Sequence, residues 1–157
     1  VFKKLAAHFV SLREKLLNLQ DAPHALAGGV AIGMFIGFTP LFGVKTLLCL
    51  GLAFLLRCNP IAAVISVSFH DVVTPFWPLL LTLEYKIGWD LLSWLHQAPA
   101  QTPSMHFHIH EVMQWTTFLT YGLPMLVGSL FLSTPAAIVA YWLTLPLFRR
   151  REERRKK

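Results

Sequence analysis

The sequence predicts an all-α, polytopic integral membrane protein with broken or re-entrant helices. Three observations predict it. Charge is nearly absent from two long blocks: residues 22–58 carry only Lys45 and Arg57, and residues 112–148 carry none. Basic residues collect at the two ends, as Lys3, Lys4, Arg13 and Lys15 at the start and "RRREERRKK" over 149–157. Proline and glycine interrupt the apolar blocks, most sharply at "TPLFG", residues 39–43. A spanning helix needs about 20 apolar residues, so each block exceeds one span. Neither block has the polar face that a soluble helix of that length requires. The 157 residues fit one domain. Only 14% of them are charged and the mean hydropathy is +0.54, against about 25% charged in soluble domains.

The net charge of +6 and the pI near 9.7 raise the question of nucleic acid. The placement of the charge answers it. Basic clusters that flank apolar blocks retain those ends in the cytoplasm and touch anionic lipid headgroups. No basic patch interleaved with aromatics stands in the chain. The expected partners are therefore membrane lipids, with anionic headgroups at the basic ends and no nucleic acid; a homo-oligomer is left open. Both termini are expected in the cytoplasm, which requires an even number of complete crossings. The first apolar block is too long for a signal peptide and lacks a small-residue cleavage site.

Taken in order, residues 1–20 read as an amphipathic helix on the cytoplasmic side, with Leu5, Phe9, Leu12, Leu16 and Leu17 as its apolar stripe. Residues 21–148 form the transmembrane domain, and residues 149–157 a basic cytoplasmic tail. Asp21 is placed to cap the first membrane helix, with Pro23 in its first turn. The block 22–58 is too long for one span and breaks at Thr39–Gly43, because proline lacks an amide donor and glycine permits reversal. Two short segments around such a break suit a re-entrant hairpin, whose irregular backbone must be sheltered by protein or line a wet cavity. Gly29, Gly33 and Gly37, at spacing four, form a ridge that lets another helix approach closely.

Asn59-Pro60 starts a further turn. The block 61–83 carries His70 and Asp71 near its middle, then Glu84, Tyr85, Lys86 and Gly88 at its end. The connection at about 89–111 has no Lys or Arg and four histidines, which places it outside the cytoplasm. The last block has Gly122, Pro124, Gly128 and Pro135 as candidate breaks. Cys49 and Cys58 read as small buried hydrophobes. The dipeptide Thr-Pro recurs at 39–40, 74–75 and 134–135, a loose echo of the paired interruptions of inverted-repeat transporters.

Residues 29–88 contain "AIGMFIGFTPLFGVKTLL", then "LAFLLRCNPIAAV", then a proline-bearing apolar stretch closing in "EYKIG". This order resembles a bacterial membrane family, domain of unknown function 2062. In that family a Gly-rich helix runs into a Pro-x-x-Gly corner, continues through Arg-x-Asn and ends at Tyr-x-x-Gly. Gly33, Gly37, Pro40, Gly43, Arg57, Asn59, Pro75, Tyr85 and Gly88 occupy those places here. Many members carry Asn-Pro-x-Thr in the third element, where this chain has "HDVVTP". The resemblance implies a bacterial inner-membrane architecture and no particular chemistry.

Several constellations could carry chemistry. His70 and Asp71 are ionisable residues in apolar sequence, which by default mark function. Neighbours on a helix point apart, so they address different partners, and with Glu84 they could form a proton relay. Lys45 follows the break, where it could meet a carboxylate, a phosphate at a helix N-terminus or a nearby headgroup. His106, His108 and His110 alternate, a spacing that could hold a metal on extended backbone. No GxSxG, HExxH, P-loop or dinucleotide fingerprint is present, so neither an enzyme nor a cofactor is expected.

The expectation that follows is a transporter or flippase-like protein for an anionic or lipid-linked substrate. Its path would run past Thr39, Pro40, Gly43, Lys45, Arg57, Asn59, His70 and Asp71, with Glu84 available for proton coupling. The alternatives are a non-transporting scaffold for envelope assembly and metal handling by the outer histidines.

Overall fold

In the computed structural model, the described residues are 10–11, 21–40, 44–72, 77–95 and 121–156. All regular structure among them is helical. Five helices follow in order: α1 Pro23–Gly37, α2 Lys45–Leu55, α3 Pro60–Val72, α4 Trp77–Trp94 and α5 Leu123–Arg155. Of the expected N-terminal amphipathic helix, only Val10 and Ser11 are described, and both are helical. The His106–His110 cluster, Gly43 and Pro75 lie outside the described residues.

The first apolar block divides where its Thr-Pro step stands. α1 has 15 residues and α2 has 11, about 22 Å and 16 Å at 1.5 Å per residue. The N-cap of α1 is Ala22, with no side-chain cap, and Pro23 opens the helix. Asp21 therefore does not cap α1 as expected; its carboxylate accepts a hydrogen bond from Asn59 instead. α1 ends at Gly37, after which the Thr39 amide returns to the Ile36 carbonyl at 3.0 Å.

α2 closes in a Schellman turn. The Cys58 amide donates to the Ala53 carbonyl at 2.8 Å and the Arg57 amide to the Phe54 carbonyl at 3.2 Å. The turn needs a left-handed residue, and Arg57 supplies it with φ 54°. A non-glycine residue there costs roughly 1–2 kcal/mol. α3 restarts at once: Asn59 is its N-cap, Pro60 its first residue, and the Asn59 Oδ1 accepts from the Ala62 amide at 2.7 Å.

The chain forms two compact units, Val1–Pro75 with Ser133–Lys157, and Phe76–Leu132. In the first, α1 is enclosed on both sides. Leu26, Ala27 and Val30 pack with Ala62 of α3 and with Leu145 and Phe148 of α5. Ile32 and Ile36 pack with Cys49 and Ala53 of α2 and Ala63 and Val67 of α3. An apolar sequence on every side of α1 is thus accounted for by burial on every side. Cys49 is fully buried in this core and Cys58 half-buried, both free thiols. Gly29 and Gly33 bring α1 onto α3: a Cβ at Gly29 would meet the Asn59 carbonyl, and one at Gly33 the Ala63 carbonyl. The Ser66 hydroxyl donates across this crossing to the Val30 carbonyl at 2.9 Å.

In the second unit, α4 crosses the start of α5 through Gly88 and Gly128. A Cβ at Gly88 would strike the Pro124 carbonyl, and one at Gly128 the Glu84 carbonyl. α4 runs past Gly88 to Trp94, so residues expected to open the external loop continue the helix.

Within the block 61–83 two helices are described, α3 to Val72 and α4 from Trp77, with His70 and Asp71 in α3; residues 73–76 lie outside the described residues. One expectation is corrected: from Leu123 on, the final block is a single helix, because α5 continues through Pro124, Gly128, Pro135 and Pro146 and carries the basic tail as far as Arg155. Pro124 sits in the first turn, where its missing donor costs nothing. Pro135 and Pro146 stand inside, as helices in apolar surroundings tolerate where neighbours and side chains answer the freed carbonyls. With 33 residues, α5 is long and apolar enough to cross a membrane, and it is the one such helix among the described residues.

Candidate functional site

Of the expected pathway residues, Thr39, Pro40 and Lys45 stand at the C-terminal end of α1 and Asn59 at its N-terminal end, while Glu84 belongs to the second unit. At the C-terminal end of α1, the backbone carbonyls of the last turn lack helical partners. Lys45, the first residue of α2, turns inward and is only 6% exposed. Its Nζ donates to the Gly37 carbonyl at 2.8 Å, a cation on the negative end of a helix dipole. The Thr39 hydroxyl donates to the Ile36 carbonyl at 2.7 Å. The polar groups beside the corner thus finish α1, and Pro40 stands half-buried next to them.

At the other end of α1, Asn59 bonds through its side-chain amide, its side-chain carbonyl and its backbone amide. Its Nδ2 donates to the Asp21 Oδ2 at 2.5 Å, its Oδ1 caps α3, and its backbone amide donates to the Ala25 carbonyl at 2.9 Å. A buried asparagine bonded in this way to the lead-in of α1 and to the first turn of α3 is a joint between the two helices. Arg57, two residues earlier, is exposed. Ala25 and Gly37 are 12 positions apart, which in a helix is about 18 Å, so Asn59 and Lys45 serve different ends of the same helix.

A third contact, not anticipated from the sequence, joins α1 to the last turns of α5. The His24 Nδ1 lies 2.9 Å from the Tyr141 hydroxyl, and its Nε2 lies 2.9 Å from the Arg149 guanidinium. Arginine has donors only, so Nε2 accepts and the ring proton sits on Nδ1, donating to the Tyr141 oxygen. The sequence signal was weak: an isolated histidine in the first turn of an apolar helix.

The second unit holds the least ordinary side chain. Glu84 is 0% exposed, on the face of α4 that carries Gly88 one turn later. The close approach of α5 at Gly128 is what encloses it, because only a residue without a Cβ admits the Glu84 carbonyl. The Tyr85 hydroxyl beside it is also enclosed, without a hydrogen bond among the described residues. The Tyr85 ring packs on Trp89 and Tyr121 at centroid distances of 6.0 and 6.1 Å. Ser129, fully buried, turns its hydroxyl back to the Leu126 carbonyl at 2.9 Å. A charged carboxylate out of water costs several kcal/mol unless a partner or a bound proton offsets it. This enclosure makes Glu84 the candidate functional residue.

His70 and Asp71 are helical in α3; their side chains lie outside what is described. No group of three or more His, Cys, Asp or Glu side chains that could hold a metal is found among the described residues.

No curated protein and no solved structure matches this chain. Residues 7–157 match the family described as "Uncharacterized protein conserved in bacteria". That match takes in the N-terminal segment and α5, well beyond residues 29–88, where the motifs Gly33, Gly37, Pro40, Arg57, Asn59, Tyr85 and Gly88 stand. The chain therefore belongs to the bacterial family of domain of unknown function 2062.

Proposed function

We propose that this chain is a multi-pass protein of the bacterial inner membrane that moves an anionic or lipid-linked substrate, with protonation of Glu84 as the coupling event. The observation that carries the reading is the complete enclosure of the Glu84 carboxyl in an apolar helix pair. Ionisable residues in such surroundings are costly and mark substrate or proton pathways. A carboxyl that takes up a proton when enclosed and releases it when opened to water is the element a proton-coupled carrier needs.

The placement in a membrane has its own support. α2 presents Leu47, Phe54 and Leu55 to the outside, and α5 presents Phe131, Ile138, Trp142 and Leu143. An apolar surface of this extent calls for lipid or a partner. α1 and α2 are each shorter than the roughly 30 Å hydrocarbon layer, which favours a re-entrant hairpin for the pair.

The test uses the full chain in proteoliposomes of neutral lipid containing a trace of fluorescently labelled phosphatidylglycerol. Transbilayer movement is read by chemical quenching from outside, with a pH gradient imposed in either direction. Wild-type protein accelerates movement and responds to the gradient. Glu84→Gln retains helicity and elution volume but loses the gradient response and about tenfold or more of the rate. Unchanged kinetics in Glu84→Gln would refute the coupling role, and protein that moves no label faster than empty vesicles would refute transport of this class.

A second reading, a non-transporting scaffold, is favoured by one observation: Thr39, Lys45 and Asn59 are committed to helix ends and joints. It predicts that their substitution costs stability alone, with loss of a bound envelope protein following loss of fold.

A further inference from the structure

His24 ties together two helices of the first unit that are distant in sequence. It stands in the first turn of α1, and both its partners, Tyr141 and Arg149, stand on α5. Between them on the same stripe of α5, Leu145 and Phe148 are buried in a cluster with Leu26 and Ala27 of α1. The imidazole also packs on the Tyr141 ring, with centroids 6.4 Å apart. The contact therefore sits at the edge of the α1–α5 packing, where His24 is exposed to solvent.

The bridge exists in one protonation state. The Arg149 guanidinium has donors only, so the His24 Nε2 has to accept, and a ring that accepts there is neutral. A second proton would occupy that nitrogen. It would turn the acceptor into a donor facing donors and set two cations side by side with no acceptor between them. The surrounding groups are few. From α5 the ring meets Tyr141 and Arg149. From α3 the residue against the start of α1 is Asn59, which is neutral. On the lead-in to α1, the Asp21 carboxylate accepts from Asn59. A cavity of about 390 Å³ between the start of α1 and the end of α5 is lined by Asp21 and Leu26, and by Phe148, Arg151, Glu152 and Arg155. There Glu152 accepts from Lys156.

We propose that the His24 bridge is a pH-sensitive latch: the neutral ring fastens the start of α1 to α5, and a second proton on the ring releases it. Imidazole is the side chain that titrates between about pH 5 and 8, and the exposed position lets the proton arrive without opening the core. The bonded form is the neutral one. Its contribution to stability is therefore present in mildly alkaline solution and lost as pH falls, the opposite sign from a histidine that gains a carboxylate. Release leaves the apolar cluster as the remaining tie, so the basic end of α5 is freed from α1 beside the cavity. The inference stands apart from transport and from Glu84.

The experiment measures the unfolding midpoint of the full chain in neutral detergent at about pH 8 and about pH 5.5, the range over which imidazole titrates. On acidification, the wild type is expected to lose about 2 °C or more beyond the loss in His24→Gln. Arg149→Gln, whose amide accepts as well as donates, removes that difference. Arg149→Glu reverses it, because a carboxylate accepts from the protonated ring; its midpoint rises on acidification relative to Arg149→Glu with His24→Gln. Both substituted positions are exposed, and every form keeps the other titratable groups, so the differences report the ring. Nitrogen resonances of isotope-labelled histidine at about pH 8 give a second reading: the ring signal lost in His24→Gln is expected to carry its proton on Nδ1. An equal pH response in wild type and His24→Gln overturns the latch. So does a response of unchanged sign in Arg149→Glu, or a neutral ring with its proton on Nε2.

Discussion

The crossing of α1 with α3 and the crossing of α4 with α5 are built by the same device and used differently. In both, glycines let backbone meet backbone: Gly29 and Gly33, one turn apart on α1, in the first, and Gly88 of α4 against Gly128 of α5 in the second. Around the first crossing, buried polar side chains are satisfied by nearby groups: Ser66 by the Val30 carbonyl, Asn59 by Asp21 and the Ala62 amide, Lys45 by the Gly37 carbonyl. At the second, a carboxyl and a phenol are enclosed where the helices touch. Polar residues in apolar helices are therefore of two kinds. Those that complete helix ends and joints are part of the architecture. A carboxyl that the packing shuts away at a crossing is a candidate for chemistry.

The largest expected effect tests the shared device. Gly128→Leu and Gly33→Leu each drive a side chain into backbone, which a rotamer change cannot relieve. Both variants are expected to lose monodisperse elution in detergent. Gly51→Leu, where an added Cβ meets nothing within 4 Å, elutes as wild type. If the two crossing variants elute normally, the close packing is not what holds either unit.

Next comes the joint. Asn59→Leu removes the cap of α3 and leaves Asp21 without its donor, a loss of about 2–3 kcal/mol by thermal unfolding. Asn59→Asp keeps the capping oxygen but sets a second carboxylate against Asp21, and adding Asp21→Asn restores the donor–acceptor match. Recovery in that double variant identifies the contact. Two losses that simply add would mean that Asp21 and Asn59 act separately.

The smallest effect separates architecture from function in the same turn. Arg57 holds a left-handed conformation that glycine adopts freely. Arg57→Gly should raise the unfolding midpoint by the equivalent of about 1 kcal/mol. A fall in stability would show that the arginine side chain contributes more than its backbone strain costs.

Much of the first unit was legible in the sequence because its signals are local. Pro40 and the residues about it end a helix through the missing amide, and Asn59-Pro60 begins one through a cap and a preset φ. The spacing of Gly29 and Gly33 announces a helix contact on that face. That the run 61–83 holds parts of two helices, α3 and α4, was less visible, because an apolar run of 23 residues with Asp71 as its single charge resembles one span. The prolines of α5 misled in the other direction, since a proline's effect depends on what neighbours the helix.

The sequence by itself determined that this is an all-helical, apolar chain of a bacterial family, with helix boundaries at Thr39-Pro40 and Asn59-Pro60 and most of its cations at the ends. Those properties follow from residue types and from spacings of three and four. Only the tertiary structure decided that Lys45 faces Gly37, that Asp21 serves Asn59 instead of α1, that Glu84 is shut away, and that Arg151 and Arg155 share a cavity with Leu26. Each of these depends on which distant helix faces which, and that choice is made by the close packing of whole faces, to which no single stretch of sequence has access.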